Sequence, residues 1–97
     1  MHLKPEELRI VKRLLQEYVP GHEVWVFGSR AHGRHLKPFS DLDLAIMTDS
    51  PLSLDAFVRL KHAFTESDLP FRVDVVDWAA TEPHFKDIIA KEHSVIL

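Results

Sequence analysis

Apolar residues fall along this chain in two rhythms, and the changes between them divide it into elements. Leu8, Val11, Leu14, Leu15 and Tyr18 recur at three- and four-residue steps, which puts them on one side of a helix. Pro5-Glu6-Glu7 suits its first turn, because proline loses no helical hydrogen bond there and acidic side chains favour the positive end of the helix dipole. Val19-Pro20-Gly21 stops the pattern. Glu23 to Phe27 (EVWVF) then switches to β-branched and aromatic residues, which suit a strand, and a second strand is expected over Asp41 to Met47. Ser50-Pro51 turns the chain, and Ser53 caps a helix carrying Phe57, Leu60, Lys61 and Phe64 along one side. Leu69-Pro70 breaks that helix and Phe71 to Asp77 (FRVDVVD) reads as a third strand. Thr81-Glu82-Pro83 opens a last helix with Phe85, Ile88 and Ile89 facing inward.

The order α, β, β, α, β, α predicts an α/β (α+β) class: a small mixed sheet flanked by helices, with the first two strands as neighbours. No repeat, linker or low-complexity stretch interrupts residues 1–97, which read as one domain. A chain of this size buries roughly 60 to 70% of its unfolded surface, leaving little for a second substrate-binding lobe. Twelve basic against fifteen acidic residues give a net charge of -3, which argues against direct nucleic-acid binding through bulk positive charge. The absence of cysteine excludes disulfides and thiolate zinc sites. No segment approaches the roughly 18 apolar residues of a membrane span, and MHLKPEELRI lacks a signal peptide's apolar centre, so a cytoplasmic setting is expected.

Two aspartates break the apolar run of the second strand. Alternate strand residues share a face, so Asp41 and Asp43 point one way while Leu42, Leu44 and Ile46 point to the core. Paired carboxylates repel each other and ask for a cation. Asp74 repeats the theme within Val73-Asp74-Val75-Val76, on a strand that could lie next to the Asp41 to Met47 strand. Cross-strand neighbours approach to about 5 Å, near enough for three carboxylates to surround a hard cation, Mg²⁺ or Mn²⁺ rather than zinc. Asp77 competes with Asp74 for the third position, but it has the opposite strand parity and sits at the strand end, so Asp74 is preferred. The plainer reading of Asp41 and Asp43 is a structural ion pair with Arg30, Arg34 or Lys37.

The strand Glu23 to Phe27 runs into Gly28-Ser29 and a short helical turn, SRAHG. Glycine lets a phosphate approach the backbone, Ser29 adds a hydroxyl donor, and amides at a helix start attract anions. Neither a Walker loop nor a Gly-x-Gly-x-x-Gly turn is present. A Gly-Ser turn at the end of one strand and Asp-x-Asp on the next is more specific than either alone, since it sets a phosphate cradle opposite a metal cage. His32-x-x-His35 lacks thiolates or a nearby carboxylate at helical spacing, and Trp25 and Trp78 read as packing residues. The histidines at 2, 22, 62, 84 and 93 read as scattered and solvated.

Gly28-Ser29 followed after eleven residues by Asp41-Leu42-Asp43 resembles the nucleotidyltransferase signature of the DNA polymerase beta superfamily, with Asp74 as its third carboxylate. The wording GSRAHG, SDLDLAI and RVDVVDW is similar to that of the minimal nucleotidyltransferases (MNT) encoded beside HEPN-domain partners. The resemblance implies a polymerase beta-like fold, Mg²⁺-ATP as substrate and transfer of AMP to a hydroxyl. It further implies that the acceptor is a tyrosine of a HEPN ribonuclease toxin, silenced by this chain as antitoxin in a homo- or hetero-oligomer. On that reading Asp41, Asp43 and Asp74 hold metal and carry catalysis. Gly28 and Ser29 hold the β- and γ-phosphates, and Arg30 offsets the charge of departing pyrophosphate. The alternative is a non-catalytic antitoxin that acts by binding alone; transfer to a small molecule such as an aminoglycoside would need an additional domain.

Overall fold

The computed structural model describes residues 1–97. Its elements are α1 (Pro5–Tyr18), β1 (Val24–Phe27), α2 (Ser29–His32), β2 (Leu42–Ile46), α3 (Leu54–Thr65), β3 (Val73–Asp77), a 3₁₀ turn (Trp78–Ala80), α4 (Pro83–Lys91) and β4 (His93–Val95). The strands form one sheet in the order β3-β2-β1-β4. β1 is antiparallel to both β2 and β4, whereas β2 and β3 run parallel. Parallel neighbours need a crossover connection, and α3 supplies it. The expected mixed sheet with β1 beside β2 is therefore present.

Local chemistry accounts for the helix starts. Lys4 N–H donates to Glu7 Oε1 at 2.9 Å ahead of Pro5, and Ser53 Oγ accepts from Ala56 N–H at 3.1 Å to open α3. Glu82 does the same for α4, accepting from Phe85 N–H at 2.8 Å, with Pro83 in the first turn.

The core lies on one face of the sheet. Val11, Leu14 and Leu15 of α1 and Leu60 and Phe64 of α3 pack against Val24, Val26, Leu42, Leu44, Ile46 and Val75 of the strands. Each fully buried Leu or Val contributes about 1.5 to 3 kcal/mol of transfer free energy. That face is closed; on the opposite face Phe27 of β1 packs edge to face on Phe85 of α4 at 5.7 Å.

Two expectations need correction. Ile88 does not face inward; it is 52% exposed while Ile89 is fully buried, because α4 turns only a narrow stripe toward the sheet. His93 is not a solvated stray but part of β4, register partner of Phe27, with its ring stacked on Trp25 at 3.8 Å. Three residues are too short a run to show strand alternation, so this strand exists through its pairing with β1. No helix is long and apolar enough to cross a membrane.

Candidate active site

Strand register builds an acidic face. Asp43 stands opposite Asp74 in the parallel β2–β3 ladder, so both side chains leave the sheet on the same side. Asp41 shares that side by parity, one residue before the first ladder pair, Leu42↔Val73. Behind them Leu42, Leu44 and Ile46 are fully buried. The apolar set thus holds the strand in place and the polar set stays accessible.

The Gly-Ser turn closes over one of these carboxylates. β1 sets Phe27 opposite Asp43, and the chain turns immediately afterwards at Gly28 with φ 73° and ψ -158°, a region essentially restricted to glycine. A Cβ at Gly28 would fall on Asp43 Oδ2 and lie 3.3 Å from Asp43 Cγ. Gly28 therefore meets two requirements at once, its own backbone conformation and the close passage of Asp43. Ser29 begins α2 and is half-buried. Beside the turn lies a recess of about 360 Å³ lined by Gly28, His32, Arg34, Phe85 and Glu92, with Arg34 paired to Glu92 at its rim. Asp41, Asp43 and Asp74 line neither this recess nor the two larger clefts of about 520 and 530 Å³.

Burial and charge crowding act together on Asp43, whose carboxyl is pushed up to about 6 from an ordinary 3.8. Burial is the largest cause, followed by the negative charges of Asp74 and then Asp41; Arg72 pulls the other way. Arg72 is the residue the sequence reading overlooked. Its Nη2 donates to Asp41 Oδ2 at 2.9 Å and lies 3.5 Å from Asp74 Oδ2, bridging the two. The hydrogen bond to Asp41, with the charges of Asp41 and Asp74, holds its guanidinium protonated. Strand parity carried the signal, since Arg72 is two residues before Asp74 and shares its face.

No three histidine or acidic side chains converge closely enough to coordinate one ion as they stand. The trio is thus an open acidic face, with Arg72 in the bridging position, rather than a closed cage. Its donor set nevertheless fits a hard divalent cation: all ligating atoms are carboxylate oxygens, and a cation would relieve the repulsion that raises Asp43.

The structure separates Asp77 from this face. Asp77 is register partner of Ile46 on the core side and is 9% exposed. Its carboxylate accepts from Thr48 Oγ1 and, at 2.6 Å, from Leu52 N–H. It pins the segment after β2 to the end of β3.

Arg30 also departs from expectation. Rather than presenting a free charge for a leaving pyrophosphate, it is 5% exposed, and its guanidinium donates to the carbonyls of Ser40, His2 and Pro38. Trp25 and Trp78 pack edge to face at 5.2 Å, in keeping with a packing role.

Comparison with known proteins places the chain in a family. Residues 10–97 match the family described as Polymerase beta, Nucleotidyltransferase. The chain is 54% identical over 96 residues to the probable protein adenylyltransferase MntA of Haemophilus influenzae, covering 99% of this chain and 83% of that protein. Among solved structures it is similar to a toxin-antitoxin with AMP-PNP, with TM-score 0.76 and 22% identity over 93% of this chain and 72% of that one. It is also similar to a tri-AMPylated Shewanella oneidensis HEPN toxin in complex with MNT antitoxin, with TM-score 0.69 and 18% identity over 93% of this chain and 68% of that one. At those identities the structural likeness speaks for the fold. The family match and the relative that is 54% identical over 99% of this chain together show that this chain belongs to the polymerase beta nucleotidyltransferases.

Proposed function

We propose that this protein is a metal-dependent protein adenylyltransferase that moves AMP from ATP onto a tyrosine hydroxyl of a HEPN ribonuclease toxin, acting in the cytoplasm as its antitoxin. The observation that carries the reading is the convergence of Asp41, Asp43 and Asp74 on one face, with the Gly28 turn against Asp43. Three crowded carboxylates cost stability in a small protein, and a metal-nucleotide is the ligand that offsets the cost. Likeness to a protein adenylyltransferase at 54% identity, and to the fold of MNT antitoxin seen with an AMPylated HEPN toxin, supports the choice of nucleotide and acceptor.

In this reading the Gly28-Ser29 backbone amides and the Ser29 hydroxyl bind the β- and γ-phosphates. Asp41, Asp43 and Asp74 hold Mg²⁺, or Mn²⁺ in its place. When bound, the divalent cation supplies charge neutralisation and alignment of the triphosphate. Asp74 accepts the proton as the tyrosine oxygen attacks the α-phosphorus; the bond from that phosphorus to the bridging oxygen breaks, and pyrophosphate leaves. Alignment and charge stabilisation carry most of such a transfer, so a minimal domain suffices provided the docked partner presents the acceptor.

A second reading, inhibition by binding alone, is favoured by one feature: the Arg72 guanidinium contacts both Asp41 and Asp74 and so offsets part of their repulsion. Intact mass of the co-purified partner after incubation with ATP and Mg²⁺ decides between them. A gain in whole AMP units that the Asp41→Ala/Asp43→Ala double variant does not produce is expected. A stable complex with no gain would replace catalysis with binding.

A further inference from the structure

Asp43 and Asp74 are fixed by the ladder that pairs them, but Asp41 is not, because the β2–β3 register begins at Leu42↔Val73. Something other than strand pairing must hold the residue before it. Arg30 is in contact with the segment that does so. Its Nε donates to Ser40 O at 2.9 Å, immediately before Asp41, and its Nη2 donates to Pro38 O at 3.1 Å. Its Nη1 donates to His2 O at 3.0 Å, and His2 N–H returns a bond to Arg30 O at 2.6 Å. The guanidinium carbon lies 4.0 Å over the Phe71 ring, one residue before Arg72.

Both strand entries thus meet at one side chain. Leu42 N–H donates to Arg72 O at 2.9 Å, so the backbone on either side of Asp41 is tied toward the β3 entry, once through Arg30 and once directly. An arginine buried to this depth ordinarily faces a carboxylate. Arg30 takes part in none of the protein's ion pairs, and its charge is offset by three carbonyl dipoles and a ring face. Only a planar fork reaches three carbonyls in different directions while stacking on an aromatic; a lysine ammonium does not.

We propose that Arg30 is the positioning residue for Asp41. By tying Pro38 and Ser40 to α2 and to Phe71, it sets where Asp41 joins the acidic face relative to the Gly28-Ser29 turn. Its charge is committed to the backbone and not to the leaving group. The proposal rests on Asp41 serving as a metal ligand, and its test separates the two claims.

The experiment compares wild type with Arg30→Lys, which keeps the charge and loses the fork, after circular dichroism has shown a folded protein. Amide hydrogen exchange at Leu42, whose N–H is bonded to Arg72 O, is expected to speed at least about tenfold while β1 amides hold. Mn²⁺ affinity without nucleotide is expected to fall about tenfold, the usual effect of losing a group that orients a ligand. Asp41→Ala in the Arg30→Lys background is expected to add no further loss. Unchanged exchange and Mn²⁺ affinity, with a raised KM for ATP alone, would overturn the proposal in favour of direct charge stabilisation. Wild type that binds no Mn²⁺ would sink the metal-ligand reading, and the exchange measurement would still decide the positional claim. If Arg30→Lys does not fold, Phe71→Leu removes the ring beneath the guanidinium and is expected to shift exchange at Leu42 in the same direction. No shift in that folded variant overturns the proposal.

Discussion

Asp43 stands directly across the parallel ladder from Asp74, and its carboxyl is pushed up to about 6 by burial first and by Asp74 and Asp41 second. This is a charge conflict fixed by strand register. Each feature around it, from the glycine turn to the Arg72 bridge, bears on how that conflict is relieved.

The conflict has a pH signature. Folded Asp43 keeps its proton to about 6, while the unfolded chain releases it near 3.8, so this group's contribution to stability is fully present below the lower value. It is lost as pH rises through the higher one. In metal-free buffer, Asp43→Asn is expected to raise the melting temperature near neutral pH and to flatten the wild-type decline between about pH 4 and 6. Thermal melts of the two proteins across that range check it. Parallel curves would show that Asp43 does not carry the strain.

Gly28→Ala tests the turn. The substituted residue meets a backbone conformation costing about 1 to 3 kcal/mol and a Cβ directed onto Asp43 Oδ2. Reduced melting temperature together with loss of AMP transfer is expected, while Gly21→Ala, which meets no atom within 4 Å, loses stability without the same loss of transfer. Measured AMP transfer by both folded variants distinguishes them.

Asp74 and Asp77 have opposite duties, and replacing each by asparagine separates them. Asp74→Asn is expected to abolish transfer and leave stability unchanged or higher, since it removes one of the repelling charges. Asp77→Asn weakens the bonds from Thr48 and Leu52, at a cost of about 1 to 3 kcal/mol, and leaves transfer by the folded fraction intact. Urea melts and intact-mass assays read the two effects. The reverse pattern would transfer the metal role to Asp77.

On the proposed reading, Arg72 would compete with a divalent cation for the same two carboxylates. Arg72→Ala is expected to tighten Mn²⁺ binding by the nucleotide-free protein, but only about two- to fivefold, because the pair is solvent-exposed. Calorimetric titration measures it, and weaker binding would make Arg72 a supporting residue of the site instead.

Much of this site was legible as pattern. Gly28-Ser29 ending one strand and Asp-x-Asp on the next give parity, spacing and residue chemistry without any knowledge of packing. The preference for Asp74 over Asp77 also followed from parity, and the structure sets the two on opposite faces. Arg30, expected to face a leaving pyrophosphate, lies buried among carbonyls, because a charged residue beside a glycine turn gives no local sign of where its long side chain ends. Its partners Ser40 and His2 are ten and twenty-eight residues away. β4 was missed because a three-residue strand is stabilised by its neighbour and not by its own composition.

Sequence alone determined the periodicities that make the helices and central strands, because residue period and capping chemistry act over a few residues. It also determined which carboxylates share a face, since alternation along a strand is a property of the backbone. Tertiary structure alone decided that β2 and β3 are parallel neighbours with Asp43 opposite Asp74, that Arg72 bridges Asp41 and Asp74, and that Arg30 turns inward. Those outcomes depend on register between distant segments and on what a long, flexible side chain meets after the core has closed, and neither is encoded in any local window of the chain.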